Sequence, residues 1–157
     1  MKSVETGVSG LDEVLDGGFL RPSIVLLGGT AGTGKTTMVM QSLFIAAKKD
    51  EVCMYVTGLS EPIATINHFM SRFSFYNVSM LGKGNIKYVP IDLNIIHEGP
   101  ESIIKEMERN IDKIKPDRIA IDPVNVFTMG MDEGAMRKFY YDFFTRMKAW
   151  NSLVLLT

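Results

Sequence analysis

The chain is poor in several of the features that direct a protein outward. It has one cysteine, Cys53, so an internal disulfide framework is excluded and a reducing cytoplasm suits it. No apolar run approaches the ~18–20 residues that cross a bilayer, and residues 1–5 lack the apolar core of a signal peptide. The two histidines, His68 and His97, are isolated from each other and from Cys53, which argues against a zinc-type site. Charge of either sign is in no excess: 17 Lys and Arg face 18 Asp and Glu, for a net charge of −1, so no global basic field draws the chain to nucleic acid or anionic lipid. The expectation is one cytoplasmic domain over residues 1–157, with no membrane association.

What is present alternates between two textures. Short β-rich apolar runs fall at 24–27, 52–57, 86–90, 118–121 and 153–157, and helical spacing fills the gaps. Val39, Leu43, Phe44 and Ala47 make one helix face, and Ile63, Ile66, Phe69, Met70 and Phe73 another, with Pro62 suited to a first turn. Ile103, Ile104, Met107, Ile111 and Ile114 form a third, and residues 133–150 carry Phe139, Tyr140, Phe143, Phe144, Met147 and Trp150. Strands alternating with helices predict an α/β fold, a mostly parallel sheet with both faces covered. The eleven methionines read mainly as core gap-fillers, and Cys53 as a core residue. The last strand ends at Thr157 with nothing after it, so the sheet is expected to be incomplete at its C-terminal side.

The strongest chemical signal is Gly29-Thr30-Ala31-Gly32-Thr33-Gly34-Lys35-Thr36, a complete G-x-x-x-x-G-K-[ST] phosphate loop, followed by Thr37. Glycines here let backbone N–H groups approach phosphate oxygens, and the helix opening near Lys35 adds its positive end. Lys35 supplies a point charge for the β- and γ-phosphates, and the Thr36 hydroxyl can ligate Mg²⁺. Arg118-Ile119-Ala120-Ile121-Asp122 is an apolar strand ending in an acid. Asp122 either holds hydrated magnesium beside the loop or merely starts the turn at Pro123; the upstream phosphate loop favours the metal role.

Thr6-Gly7-Val8-Ser9-Gly10-Leu11-Asp12 through Gly17-Gly18-Phe19, placed just before the phosphate-loop strand, resembles the lead-in of KaiC-like ATPases in the RecA/DnaB superfamily. The resemblance runs over essentially the whole chain but over only the first half to two-thirds of a typical family domain. It implies a RecA-like sheet, ATP and Mg²⁺ as ligands, and assembly into a homo-oligomer with nucleotide at subunit boundaries. By the same resemblance, Gly29 to Thr37 bind the nucleotide, with Lys35 acting in catalysis, Thr36 and Asp122 serve the metal, and the strand ending at Thr157 inserts between the Walker-A and Walker-B strands. Thr157 is then either a sensor of the γ-phosphate or a strand-end threonine with no further duty. One departure is important. The family often carries a Glu-Glu pair after the second strand, one member activating the attacking water, whereas this chain has Leu59 and Ser60 there and only Glu61 beyond them. Glu61 is either that base, displaced, or a helix-start acid ahead of Pro62.

Two function classes remain: a slow ATPase that self-assembles, and a nucleotide-binding regulator or scaffold that does not hydrolyse. A guanine-specifying N-K-x-D is absent, and Arg21, Arg72, Arg109, Arg118, Arg137 and Arg146 are too scattered for a kinase lid. The loop after Asp122 has no Lys or Arg up to Glu133, which argues against nucleic acid; a second DNA loop would lie past Thr157, so that question stays open at this level.

Overall fold

The computed structural model describes residues 1–58 and 62–157. Each expected apolar run becomes a strand of one sheet, with ends moved by no more than a residue. In chain order, after an antiparallel ribbon of β1 (Lys2–Val4) and β2 (Phe19–Arg21), these are β3 (Ser23–Leu26), β4 (Cys53–Thr57), β5 (Ile86–Pro90), β6 (Arg118–Ile121) and β7 (Leu153–Leu156). All neighbouring strands of the sheet are parallel, in the order β3-β7-β6-β4-β5, so β7 does insert between the phosphate-loop strand and the strand leading to Asp122. Parallel neighbours need crossovers, which are built by α2 (Lys35–Ala47), α3 (Ile63–Met70), α4 (Leu93–Glu98), α5 (Pro100–Ile114) and α6 (Glu133–Met147). α1 (Leu11–Val14) lies between the two ribbon strands. No described helix is long and apolar enough to cross a membrane.

Strand residues alternate between two buried layers, which is why these runs are apolar throughout rather than at every second position. Cys53, Tyr55, Ala120, Leu153 and Leu155 face α2, where Val39, Met40, Leu43 and Phe44 are buried. Met54, Val56, Ile119, Ile121, Val154 and Leu156 face the opposite layer, built on Ile103, Ile104 and Met107 of α5 and Phe139, Phe143 and Met147 of α6. The aromatic face of α6 is therefore covered by this chain's own sheet. Large exposed apolar side chains lie elsewhere, among them Val14, Leu26, Phe69 and Met129.

Two elements depart from the periodicity. Pro62 is the N-cap of α3, in extended conformation, and not part of its first turn. The helix ends at Met70, and Phe73 lies beyond it, stacked on Phe75, which in turn packs against Phe44 of α2. The segment after Asp122 is not an open loop: Val124–Thr128 form a 3₁₀ turn that buries Val124, Val126 and Phe127 in the α5/α6 layer.

At the N-terminal edge of the sheet sits a buried cation that sequence patterning did not single out. Arg118, 2% exposed, ion-pairs with Glu51 at 3.4 Å and donates hydrogen bonds to Ser42 Oγ (2.7 Å) and to the carbonyl of Glu5 (3.0 Å). Next to it the Asp117 carboxylate accepts from the Val52 N–H and from Arg21, each at 3.0 Å. The ribbon, α2 and the main sheet are pinned together there.

Candidate nucleotide site

The site lies at the other edge, where the strands end. β3 stops at Leu26, and the Leu27 N–H still donates to the Leu156 carbonyl at 2.8 Å before the chain turns away into the loop. Gly32 (φ 79°) and Gly34 (φ 89°) occupy the left-handed region, where a side chain would be strained. Gly29 faces a different constraint: a Cβ there would sit 2.7 Å from Thr33 Oγ1, which is itself tied to the Thr30 carbonyl at 2.9 Å. The glycine spacing of the motif thus has a local cause at each of these positions.

Gly34 is the N-cap of α2 and supplies no side-chain acceptor. The helix opens towards solvent with its first N–H groups available, a standing partner for an anion. Residues 32–37 line a 240 Å³ cavity at this helix end. Lys35 folds back over the loop, its Nζ donating to the carbonyls of Gly29 and Thr30, both at 2.9 Å. The structure thus brings Gly29, Thr30, Ala31, Gly32, Thr33, Gly34, Lys35, Thr36 and Thr37 into one exposed cradle. Beside it a 360 Å³ cavity is walled by Thr36, Thr37, Tyr55, Phe69, Arg72 and Phe73.

Asp122 follows β6 directly. Because side chains alternate along a strand, Asp122 shares the face of Ala120, the α2 side, and points its carboxylate towards the layer from which the phosphate loop rises. It is 6% exposed. Oδ2 accepts from the Tyr55 hydroxyl at 3.1 Å, and Oδ1 accepts from the Thr157 hydroxyl. Thr157 is held in turn by main-chain bonds, its N–H to the Ile121 carbonyl (3.2 Å) and its carbonyl to the Val124 N–H (3.0 Å). Among the described residues no ion pair includes Asp122. A nearly buried carboxylate with hydroxyl partners and no cation fits a divalent metal, an oxygen-seeking cation that brings the missing charge. Thr36 and Asp122 are the residues able to serve it, and Tyr55 links them, its ring in the cavity with Thr36 and its hydroxyl on Asp122.

Thr157, expected near the phosphates, touches Asp122. Glu61 lies outside the described residues. Tyr55 was missed by sequence reasoning, although a phenol in an otherwise apolar run, on the same face as Thr57, was a readable signal. Among the described residues no group of three or more His, Cys, Asp or Glu is placed to hold a metal ion. Cys53 is buried and its thiol is pushed up to about 12, first by burial. It is a packing residue.

Comparison with known proteins agrees with this geometry. A family model described as "ATPase: KaiC" matches residues 4–157. The circadian clock oscillator protein KaiC of Acaryochloris marina is 30% identical over 142 residues, covering 87% of this chain and 26% of that protein. KaiC 1 of Synechocystis is 30% identical over 136 residues, with the same coverage. A crystal structure of a KaiC-like protein from Pyrococcus horikoshii superimposes with a TM-score of 0.83 at 25% identity, covering 99% of this chain and 71% of that one. The chain spans about a quarter of the length of the curated relatives it matches. With a phosphate loop, an acid beyond the β6 strand and β7 inserted between their strands, it belongs to the KaiC family of RecA-fold P-loop ATPases.

Proposed function

We propose that this chain binds Mg-ATP in the cradle of residues 29–37, hydrolyses it slowly, and works as a copy in a self-assembling KaiC-like protein. The observation that carries the reading is the preformed loop: left-handed glycines, an α2 N-terminus without a side-chain cap, and a lysine already gathered over the turn. Bound magnesium, held by Thr36 and Asp122, would neutralise charge on the β- and γ-phosphates. Lys35 turns from its own loop carbonyls to the phosphate oxygens, and the helix end supplies N–H donors. Glu61 orients the attacking water and accepts its proton. Charge stabilisation from a neighbouring subunit is worth roughly 10³–10⁵ in rate in other NTPases, so an isolated copy turns over about once a minute or slower.

Calorimetry with Mg-ATP on wild type and Lys35→Ala tests the binding step, and unchanged affinity in the variant overturns it. Self-assembly finds support in the exposed Phe69 at the rim of the site and in the KaiC relatives, and not in α6, whose aromatic face is already covered. A second reading, a nucleotide-binding regulator without turnover, is favoured by Leu59 and Ser60 at the usual glutamate positions. Phosphate release, measured with and without assembly, separates the two. The stretch after Asp122, free of Lys and Arg and acidic only at its end, supports weak nucleic-acid binding at most, and a salt-sensitive submicromolar DNA complex would refute that.

A further inference from the structure

We propose that Tyr55 is a positioning residue for the metal-side carboxylate, its hydroxyl holding Asp122 turned towards the phosphate loop; this rests on the Mg-ATP reading above. The register creates the arrangement. β4, β6 and β7 are consecutive neighbours in the sheet, with Tyr55 opposite Ala120 and Ile121 opposite Leu156. Tyr55, Asp122 and Thr157 therefore come to one face from three adjacent strands, the acid in the middle. The methyl of Ala120 leaves the phenol room to lean along the strand, and its oxygen reaches Asp122 Oδ2 at 3.1 Å.

An aspartate's terminal torsion is broad and roughly two-fold, so a lone carboxylate at a strand end swivels. An ionised carboxylate is acceptor-only, which requires Tyr55 and Thr157 to act as donors, one on each oxygen. Together they clamp it from both sides. Each carboxylate oxygen has a second lone pair, so the clamp leaves room for a metal or its water. Tyr55 is 2% exposed, and bulk water does not stand in for its hydroxyl. Its ring also walls the cavity shared with Thr36, so one side chain sets the acid's direction and borders the threonine that would serve the metal with it.

The test is Tyr55→Phe in the full chain, read by calorimetric ATP binding across a magnesium titration and in EDTA. Loss of an oriented hydrogen bond to a metal-site carboxylate should raise the half-saturating magnesium concentration on the order of tenfold. Metal-free ATP binding should stay within about twofold, since the phosphate loop is untouched. In an Asp122→Asn background the Tyr55→Phe shift should vanish, which a merely structural role of the phenol would not produce. Unchanged magnesium dependence in Tyr55→Phe, or an equal shift with Asp122→Asn present, overturns the assignment while leaving the nucleotide reading intact. Absence of Mg-ATP binding by the wild type overturns both.

Discussion

The four-residue strand β6 carries a buried charge at each end, and the two are treated in opposite ways. Arg118 at its start is 2% exposed and closed off, with Glu51 as counter-ion and Ser42 and the Glu5 carbonyl as further partners. Asp122, directly after its last residue, is 6% exposed and has two hydroxyls but no cation among the described residues. Burial of a charge is tolerable when it is paired and hydrogen-bonded. The first end is charge-paired within the chain and is structural, although Arg118 Nε and Glu51 Oε2 make no hydrogen bond; the second has no cation among the described residues, and the magnesium proposed above would supply one. One strand thus separates the part of the molecule that holds the fold together from the part that would meet the proposed ligand.

The contrast can be broken most strongly at Arg118. Arg118→Ala takes away the nearer of Glu51's two cations, leaving Arg21 at 3.8 Å, and the donor to the Ser42 hydroxyl, and should cost about 3 kcal/mol in urea unfolding. The native fraction should still bind Mg-ATP with wild-type affinity; a loss of affinity without a loss of stability would reverse the roles assigned to the two ends. Next in size is Glu61→Gln. Loss of the proton acceptor should lower single-turnover hydrolysis by about 10²-fold with binding intact, and a rate within twofold of wild type would reduce Glu61 to a helix-start acid. Lys35→Ala should weaken Mg-ATP binding by about tenfold or more, near 1.4 kcal/mol, with little change in unfolding midpoint. Cys53 gives the smallest effect and sharpens the closed end, because it pairs with Arg118 in the β4–β6 register. Its thiol, raised to about 12 by burial against the pull of Arg118, should resist alkylation at pH 8 in the native protein. The sign for stability follows from the unfolded thiol losing its proton first. Its contribution is intact below about pH 9 and is lost as pH rises towards 12. A pH-independent unfolding midpoint over that window, after correction with Cys53→Ala, would contradict this.

What was legible in the sequence follows the same division. The phosphate loop is written locally: closely spaced glycines, a lysine and a threonine are required by the turn itself, so its residues could be named before the fold was known. The strand pattern was equally plain, since five apolar runs separated by helical spacing leave few topologies. The acid side depends on register between strands far apart in sequence. Asp122 was visible as a strand-end acid, but its partners Tyr55 and Thr157 lie 67 and 35 residues away, and the lone phenol in the β4 run marks Tyr55 without saying which residue it meets. Arg118 was hidden for a related reason: an arginine opening an apolar run resembles a solvated edge until Glu51 and Ser42 are brought against it. Phe139 and Phe143 need no cover from another subunit, because the sheet itself supplies it.

The lysine folded over its own turn has a consequence for how affinity is read. With Nζ on the carbonyls of Gly29 and Thr30, ligand capture by Lys35 is an exchange reaction, two neutral acceptors given up for charged phosphate oxygens. The free state is therefore already solvated by protein, and little reorganisation separates it from the bound one. It follows that truncating Lys35 removes interactions from both sides of the equilibrium. The measured loss of affinity is the difference between two sets of hydrogen bonds, smaller than the attraction the ammonium exerts on the phosphates once they are in place.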